Sequence, residues 1–194
     1  YYVHMFIRKN KYFLIIESIK DIDLKNIKKR NKFSIIYRNK KKLENTTDLL
    51  NFRRFCKIKS IKFYVANNTK LAVLLNSDGL YLSAFNKSFR SLLLKKSNFK
   101  IIGSAHNLKE ISLKSKQGCE MILLSKLFLV SYDKKASFLG VIRFNNYLKI
   151  FKNLIPLGGI SINNLNNLNN INCQGFALMS EVKKKPAKIF SRLL

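Results

Sequence analysis

What most constrains this chain is its rhythm. Eight short runs of apolar, β-branched or aromatic residues lie at 12–16, 33–37, 62–66, 79–83, 100–104, 121–124, 154–158 and 175–179. Between them run polar stretches whose apolar residues recur at helical spacing, at 24–30, 46–56, 70–75, 87–95, 108–116, 142–151 and 162–168, with a last one at 186–194. A strand that is apolar on both faces is buried on both faces, which calls for a parallel sheet covered by helices. Eight successive βα units favour closure into a single (β/α)8 barrel, an α/β fold of the TIM type. An open doubly wound sheet normally marks its ligand site with a glycine-rich first turn, and here the first run is followed by Glu17-Ser18-Ile19-Lys20.

Local signals agree with this map. Asn107 is placed to cap a helix that opens at Leu108, with Glu110 in its first turn and Gly118 as its stop. Ser161 is placed to cap the segment from Ile162, where Leu165 and Leu168 keep one apolar stripe through the asparagine-rich repeat. Residues 1–11 read as an extension ahead of a single domain over 12–194, and His4 is too close to the terminus to interpret. A chain of 194 residues is long enough to bury one substantial core without disulfides. Its three cysteines, Cys56, Cys119 and Cys173, are odd in number and unpaired in spacing, which suits a reducing compartment. The apolar runs are far shorter than the roughly 20 residues of a membrane-spanning helix, so no membrane partner and a cytoplasmic location are expected.

The formal charge of +28 invites a polyanionic partner. The lysines, however, are spread through almost every polar stretch in company with asparagine and isoleucine, while glycine and proline number only 7 and 2. That pattern reads as a solvated basic surface, and nucleic acid is not the expected partner. Nothing in the sequence fixes an oligomeric state.

In a β/α barrel the loops after the strands form the functional face, and the loops after strands seven and eight often hold a phosphate. The seventh run ends in Pro156-Leu157-Gly158-Gly159-Ile160, where two glycines let the backbone approach an anion. The eighth ends in Ala177-Leu178-Met179-Ser180-Glu181, where Ser180 offers a hydroxyl and a following helix start offers N–H groups. The competing reading of Gly158-Gly159 is a tight turn that needs glycine for its own sake. With both strand endings in register, the expected phosphate site is Gly158, Gly159, Ile160, Ser180 and Glu181.

The segments Ile102-Gly103-Ser104-Ala105-His106-Asn107-Leu108-Lys109-Glu110, Gly118-Cys119-Glu120-Met121, Leu124-Ser125-Lys126-Leu127-Phe128, Pro156-Leu157-Gly158-Gly159-Ile160 and Gly175-Phe176-Ala177-Leu178-Met179-Ser180 together resemble the thiamine-phosphate synthase and thiazole tautomerase family. Leu139-Gly140 followed by Arg143-Phe144 resembles a divergent subgroup of short members. The first half is similar through Ile36-Tyr37-Arg38-Asn39-Lys40 and Ser77-Asp78-Gly79-Leu80-Tyr81-Leu82, so the resemblance spans nearly the whole chain. It implies a transferase of thiamine biosynthesis that couples hydroxymethylpyrimidine diphosphate to thiazole phosphate and releases pyrophosphate. It also implies a Mg²⁺ ion and basic side chains that neutralise the leaving group. The alternative it leaves open is a non-catalytic or tautomerase-type barrel that binds phosphorylated thiazole or thiamine phosphate.

By that resemblance Arg38 and Lys40 face the diphosphate, although Lys41 and Lys42 beside them allow a plain solvated charge run. The family's magnesium aspartates fall at Asn67 and Asn86, which keep an oxygen ligand but lose its charge. The glutamine before the arginine is Ile36. The threonines and lysine after strand six are replaced through Val130-Ser131-Tyr132-Asp133, with Lys134 and Lys135 nearby. Lys126 stands where the tautomerases carry histidine; it is either a base or phosphate ligand at the barrel mouth or a snorkelling surface lysine. His106, at the end of the fifth run, is either a proton shuttle or phosphate ligand or a cap for the next helix. Arg143 either reaches a substrate phosphate or pairs with solvent. Cys119 and Cys173, at helix-to-strand turns, belong to the opposite, stabilising face.

Overall fold

A computed structural model describes residues 9–27, 31–39, 44–94, 98–130, 135 and 137–184. Eight parallel strands close on themselves in chain order: β1 (Lys11–Ile16), β2 (Phe33–Tyr37), β3 (Lys62–Ala66), β4 (Gly79–Leu82), β5 (Lys100–Ala105), β6 (Met121–Ser125), β7 (Leu154–Leu157) and β8 (Gly175–Leu178). β1 pairs with both β2 and β8, so the sheet has no edge. The expected strands are found to within about a residue. The first of them takes in Lys11, which stands opposite Gly175.

Closure divides the apolar residues into two cores. Inward-pointing Phe13, Ile15, Ile36, Tyr64, Tyr81, Ile102, Leu123, Ile155 and Ala177 fill the barrel. Their alternates, among them Tyr12, Leu14, Phe33, Ile35, Phe63 and Ile122, pack outward under the helices. This two-sided burial explains why the strands read as unbroken apolar runs.

The helices of the outer ring are α1 (Thr46–Ile58), α2 (Thr69–Leu74), α3 (Leu108–Lys116), α4 (Gly140–Ile150) and α5 (Ser180–Lys184). Asparagine side chains cap three of them: Asn45 accepts from Thr47 N, Asn68 from Leu71 N and Asn107 from Glu110 N. Three expected helices are instead 3-10 segments, at Leu24–Asn26, Arg90–Leu94 and Ile162–Asn170. The last has a plain cause. Ile162, Leu165, Leu168 and Ile171 recur every three residues, and a helix of three residues per turn puts them on one line, with Leu165, Leu168 and Ile171 fully buried. The helix expected at 186–194 lies outside the described residues, and the helix after β8 begins at once, at Ser180. Among the described residues, no helix is long and apolar enough to cross a membrane.

Candidate active site

The C-terminal ends of the strands surround a cavity of about 720 Å³. Its floor follows from strand register. Tyr81, Ser104 and Ser125 lie two residues beyond, or within, the inward-pointing set of β4, β5 and β6, so the alternation that fills the barrel also aims them at its mouth. Burial raises the Tyr81 phenol well above its ordinary range, while a hydrogen bond with Ser104 and the charge of Arg38 pull the other way. Tyr81 therefore stays a neutral hydroxyl in the floor.

The β7 turn and the β8 turn meet across this cavity. Gly158, Gly159, Ile160, Ser180 and Glu181 all line it, together with Arg38 from the end of β2 and His106 from the end of β5. The residues expected to hold phosphate are thus brought together with two of the expected catalytic residues. Gly158 and Gly159 adopt φ of 89° and 70°, a left-handed backbone that favours glycine. At Gly159 a methyl group would strike the Phe128 carbonyl and lie 2.6 Å from Leu129 O. The tight-turn reading of the glycine pair is therefore true as well: the loop after β6 crosses directly over the turn, and Phe128 N donates to Gly158 O at 3.0 Å. Asn164 locks the far side, donating through Nδ2 to Gly159 O at 2.7 Å and accepting from Ser161 N at 2.8 Å. Glu181 brings a carboxylate to the cavity, so its contribution to an anion is confined to its backbone N–H.

His106 does not cap the next helix; Asn107 does. The His106 N–H donates to Glu110 Oε2 at 2.7 Å, and its Nδ1 lies 3.3 Å from Ser125 O. A carbonyl only accepts, so that contact places hydrogen on Nδ1 and leaves Nε2 for a ligand. Lys126 lines not the mouth but an adjoining recess, which it shares with Arg143. Lys40, Ser131, Tyr132, Asp133 and Lys134 lie outside the described residues.

Asn67 and Asn86 are adjacent but occupied with each other. Asn67 Oδ1 accepts from Ser83 N at 3.0 Å and from Asn86 Nδ2 at 3.1 Å, and its Nδ2 donates to Ser83 Oγ at 3.1 Å. Asn86 Oδ1 accepts from Ser88 N at 2.9 Å. Behind the loop the fully buried Lys114 sets its Nζ 2.6 Å from Asn86 O, and Gln117 Nε2 donates to the same oxygen at 3.0 Å. The pair is neutral, both side-chain oxygens already accept hydrogen bonds, and an ammonium stands behind it. These residues do not fit a magnesium ion, which prefers charged oxygen ligands. Among the described residues no cluster of three or more His, Cys, Asp or Glu could hold a metal.

With a closed barrel whose last two turns share one cavity, the comparison with known proteins is specific. The family model described as thiamine monophosphate synthase matches residues 17–182. The chain belongs to the thiamine monophosphate synthase family. It is 27% identical over 144 residues to a thiamine-phosphate synthase of Prochlorococcus marinus strain AS9601, a match covering 72% of this chain and 40% of that protein. It is 24% identical over 139 residues to the thiamine-phosphate synthase of Clostridioides difficile strain 630, covering 70% of this chain and 65% of that one. The chain thus matches less than two thirds of the length of these relatives. In structure it superposes on a thiamine phosphate pyrophosphorylase from Pyrococcus furiosus with a TM-score of 0.74 at 18% identity, covering 96% of this chain and 94% of the other, a likeness of fold.

Four polar lining residues of this family member were not singled out from sequence: Tyr81, Ser104, Ser125 and Asn164. For the first three a signal existed, since counting inward positions by twos along β4, β5 and β6 reaches them. For Asn164 none did, because its partners Gly159 and Ser161 become neighbours only when the β7 loop folds back.

Proposed function

We propose that this chain is a thiamine-phosphate synthase-type transferase, joining hydroxymethylpyrimidine diphosphate to thiazole phosphate with release of pyrophosphate. The observation that carries this reading is the meeting of the Gly158-Gly159 turn and the Ser180 turn around the cavity that Arg38 and His106 also line. Membership of the family supplies the reaction class. In the step proposed, the bond between the pyrimidine methylene carbon and its diphosphate oxygen breaks, and the electron pair leaves on pyrophosphate. The thiazole nitrogen then gives its lone pair to that carbon, forming the C–N bond of thiamine phosphate.

The residues have separate tasks. The backbone of Gly158, Gly159 and Ile160 and the Ser180 hydroxyl hold the thiazole phosphate. Arg38 faces the diphosphate and stabilises the charge that grows on the leaving group, with Lys40 as its expected companion; such preorganised charge is usually the largest contribution to catalysis. With Nδ1–H held by Ser125 O, His106 donates to the same developing oxyanion from Nε2 in its doubly protonated form. No step is assigned to a metal at Asn67 and Asn86.

The test is calorimetry with thiamine phosphate and with unphosphorylated thiamine. The phosphate ester is expected to bind at least tenfold more tightly, and equal affinities would remove the phosphate cradle. Turnover is then measured as pyrophosphate release from both substrates with Mg²⁺ in the buffer. The neutral Asn67–Asn86 pair favours a second reading, a barrel that binds phosphorylated thiazole or thiamine phosphate without turnover. Tight binding with no pyrophosphate release selects it, and the double change Asn67→Asp with Asn86→Asp then tests whether charge at that corner restores the reaction.

A further inference from the structure

We infer that the chain carries a second oxyanion pocket, outside the barrel mouth, that takes a phosphate or diphosphate group between the ends of β5 and β6 and the start of α4. The recess there has a volume of about 340 Å³. Three basic side chains from three different elements converge on it: His106 after β5, Lys126 after β6 and Arg143 in the first turn of α4. The hydroxyl-bearing Ser125 and Ser137 complete its polar wall, and Phe138 its apolar one.

The chemistry of this lining selects its ligand. Among the described residues no carboxylate lines the recess, and its basic groups disfavour a cation there. The acid closest in sequence to His106, Glu110, directs one oxygen to His106 N at 2.7 Å and the other to Asn107 Nδ2 at 3.0 Å. Arg143 presents a planar fork that suits two oxygens of one phosphate, Lys126 a compact charge, and the serines neutral donors. At the start of α4 the Leu139 and Gly140 N–H groups donate to Lys126 O at 3.0 Å and Leu127 O at 2.9 Å, which ties the helix carrying Arg143 to the strand end carrying Lys126. An apolar ligand finds only Phe138 and Leu139 among the described lining, against five polar or charged residues.

This concentration differs from the general basicity of the surface. The exposed lysines of α1, α2 and α3 line neither this recess nor the mouth, whereas these three groups share one concavity on the functional side of the barrel. His106 and Ser125 wall both this recess and the mouth. The oxyanion can therefore be a free anion or the far end of a ligand seated in the mouth, and both present the same phosphate oxygens. The inference does not rest on the proposed reaction, since it requires no turnover.

The probe is inorganic pyrophosphate, titrated calorimetrically into the intact chain. Arg143→Gln, on an exposed helical position, is expected to weaken binding by about tenfold, roughly the worth of one charge-assisted hydrogen bond. Lys126→Met should give a loss of similar size, with circular dichroism confirming the fold of each variant. The control removes two exposed lysines from the opposite end of the barrel, Lys57→Gln with Lys116→Gln, and should leave the affinity unchanged. Binding by Arg143→Gln equal to that of the original chain, or an equal loss in the control pair, overturns the pocket. A second titration in saturating thiamine phosphate separates the sources. Unchanged pyrophosphate affinity supports a free anion in its own site, and competition that disappears in Arg143→Gln supports one ligand spanning both cavities.

Discussion

Gly159 and Gly140 share a backbone conformation but not an environment. Both have φ near +70°, yet a methyl group at Gly140 meets nothing within 4 Å, whereas at Gly159 it meets the Phe128 and Leu129 carbonyls. Gly140→Ala should therefore cost only the left-handed penalty, about 1 kcal/mol. Gly159→Ala adds the collision with a backbone that cannot swing aside, so about 3 kcal/mol is expected. Denaturant melts of the two variants side by side check this, and equal losses would show that the β6 loop does not press on the turn. Burial acts as locally on the thiols. It pushes Cys56 and Cys119 up to about 12, the Arg53 and Lys114 charges opposing it only in part. Neither thiol should react with a disulfide reagent at pH 8 until the chain unfolds, in keeping with their place away from the mouth. The folded state favours the protonated thiol, and the unfolded chain releases that proton near its ordinary value of 9.0. Stability is thus fully present below about pH 9 and falls as pH rises from there toward 12. Melts at pH 8 and pH 10.5 should show that loss, and Cys119→Ala should reduce it.

Among the elements, the 3-10 segment Ile162–Asn170 ties core to site. Its line of buried leucines fixes its position against the barrel, and from its first turn Asn164 reaches back to hold Gly159 O and Ser161 N. Asn164→Ala removes both hydrogen bonds, a loss of about 1–3 kcal/mol. It should also weaken thiamine phosphate binding more than it weakens binding of unphosphorylated thiamine. An equal effect on both ligands would show that the brace acts on the fold alone. The period of three in this segment was visible in the sequence, yet a stripe at i and i+3 also suits an α-helix, and only the exact recurrence at Ile171 separates the two. The strands were legible because burial on both faces leaves an unmistakable apolar run, and the meeting of the Gly158-Gly159 and Ser180 turns was legible because both stand at ends of strands that close side by side. Lys114 was not. It sits in a stretch that reads as solvated, and it is buried because Gly103 on β5 has no side chain: a methyl there would lie 2.9 Å from Lys114 Cδ. That slot, and the grip of Lys114 and Gln117 on the loop carrying Asn86, depend on three separate parts of the chain and have no local signature.

Across the whole molecule, 38 basic residues against 10 acidic ones set a field that every ligand feels. The exposed lysines ring the barrel, with Lys57 on α1, Lys70 on α2, Lys109 and Lys116 on α3 and Lys149 on α4. Among the described residues this ring shows no single face that could follow a duplex, so contact with DNA should engage a different few lysines in each encounter. Such binding is driven by counterion release, carries no sequence preference, and should weaken by roughly 10³-fold between about 50 and 200 mM salt. A phosphate ester held in the mouth as proposed would differ, because fixed donors would partly enclose it and its contacts would be screened much less. Thiamine phosphate affinity should accordingly fall by less than about tenfold over the same range. Parallel titrations of a random duplex and of thiamine phosphate at several salt concentrations compare the two slopes directly. Parallel slopes would mean that the mouth acts only as one more patch of a basic surface; divergent slopes would separate a built phosphate site from the diffuse charge around it.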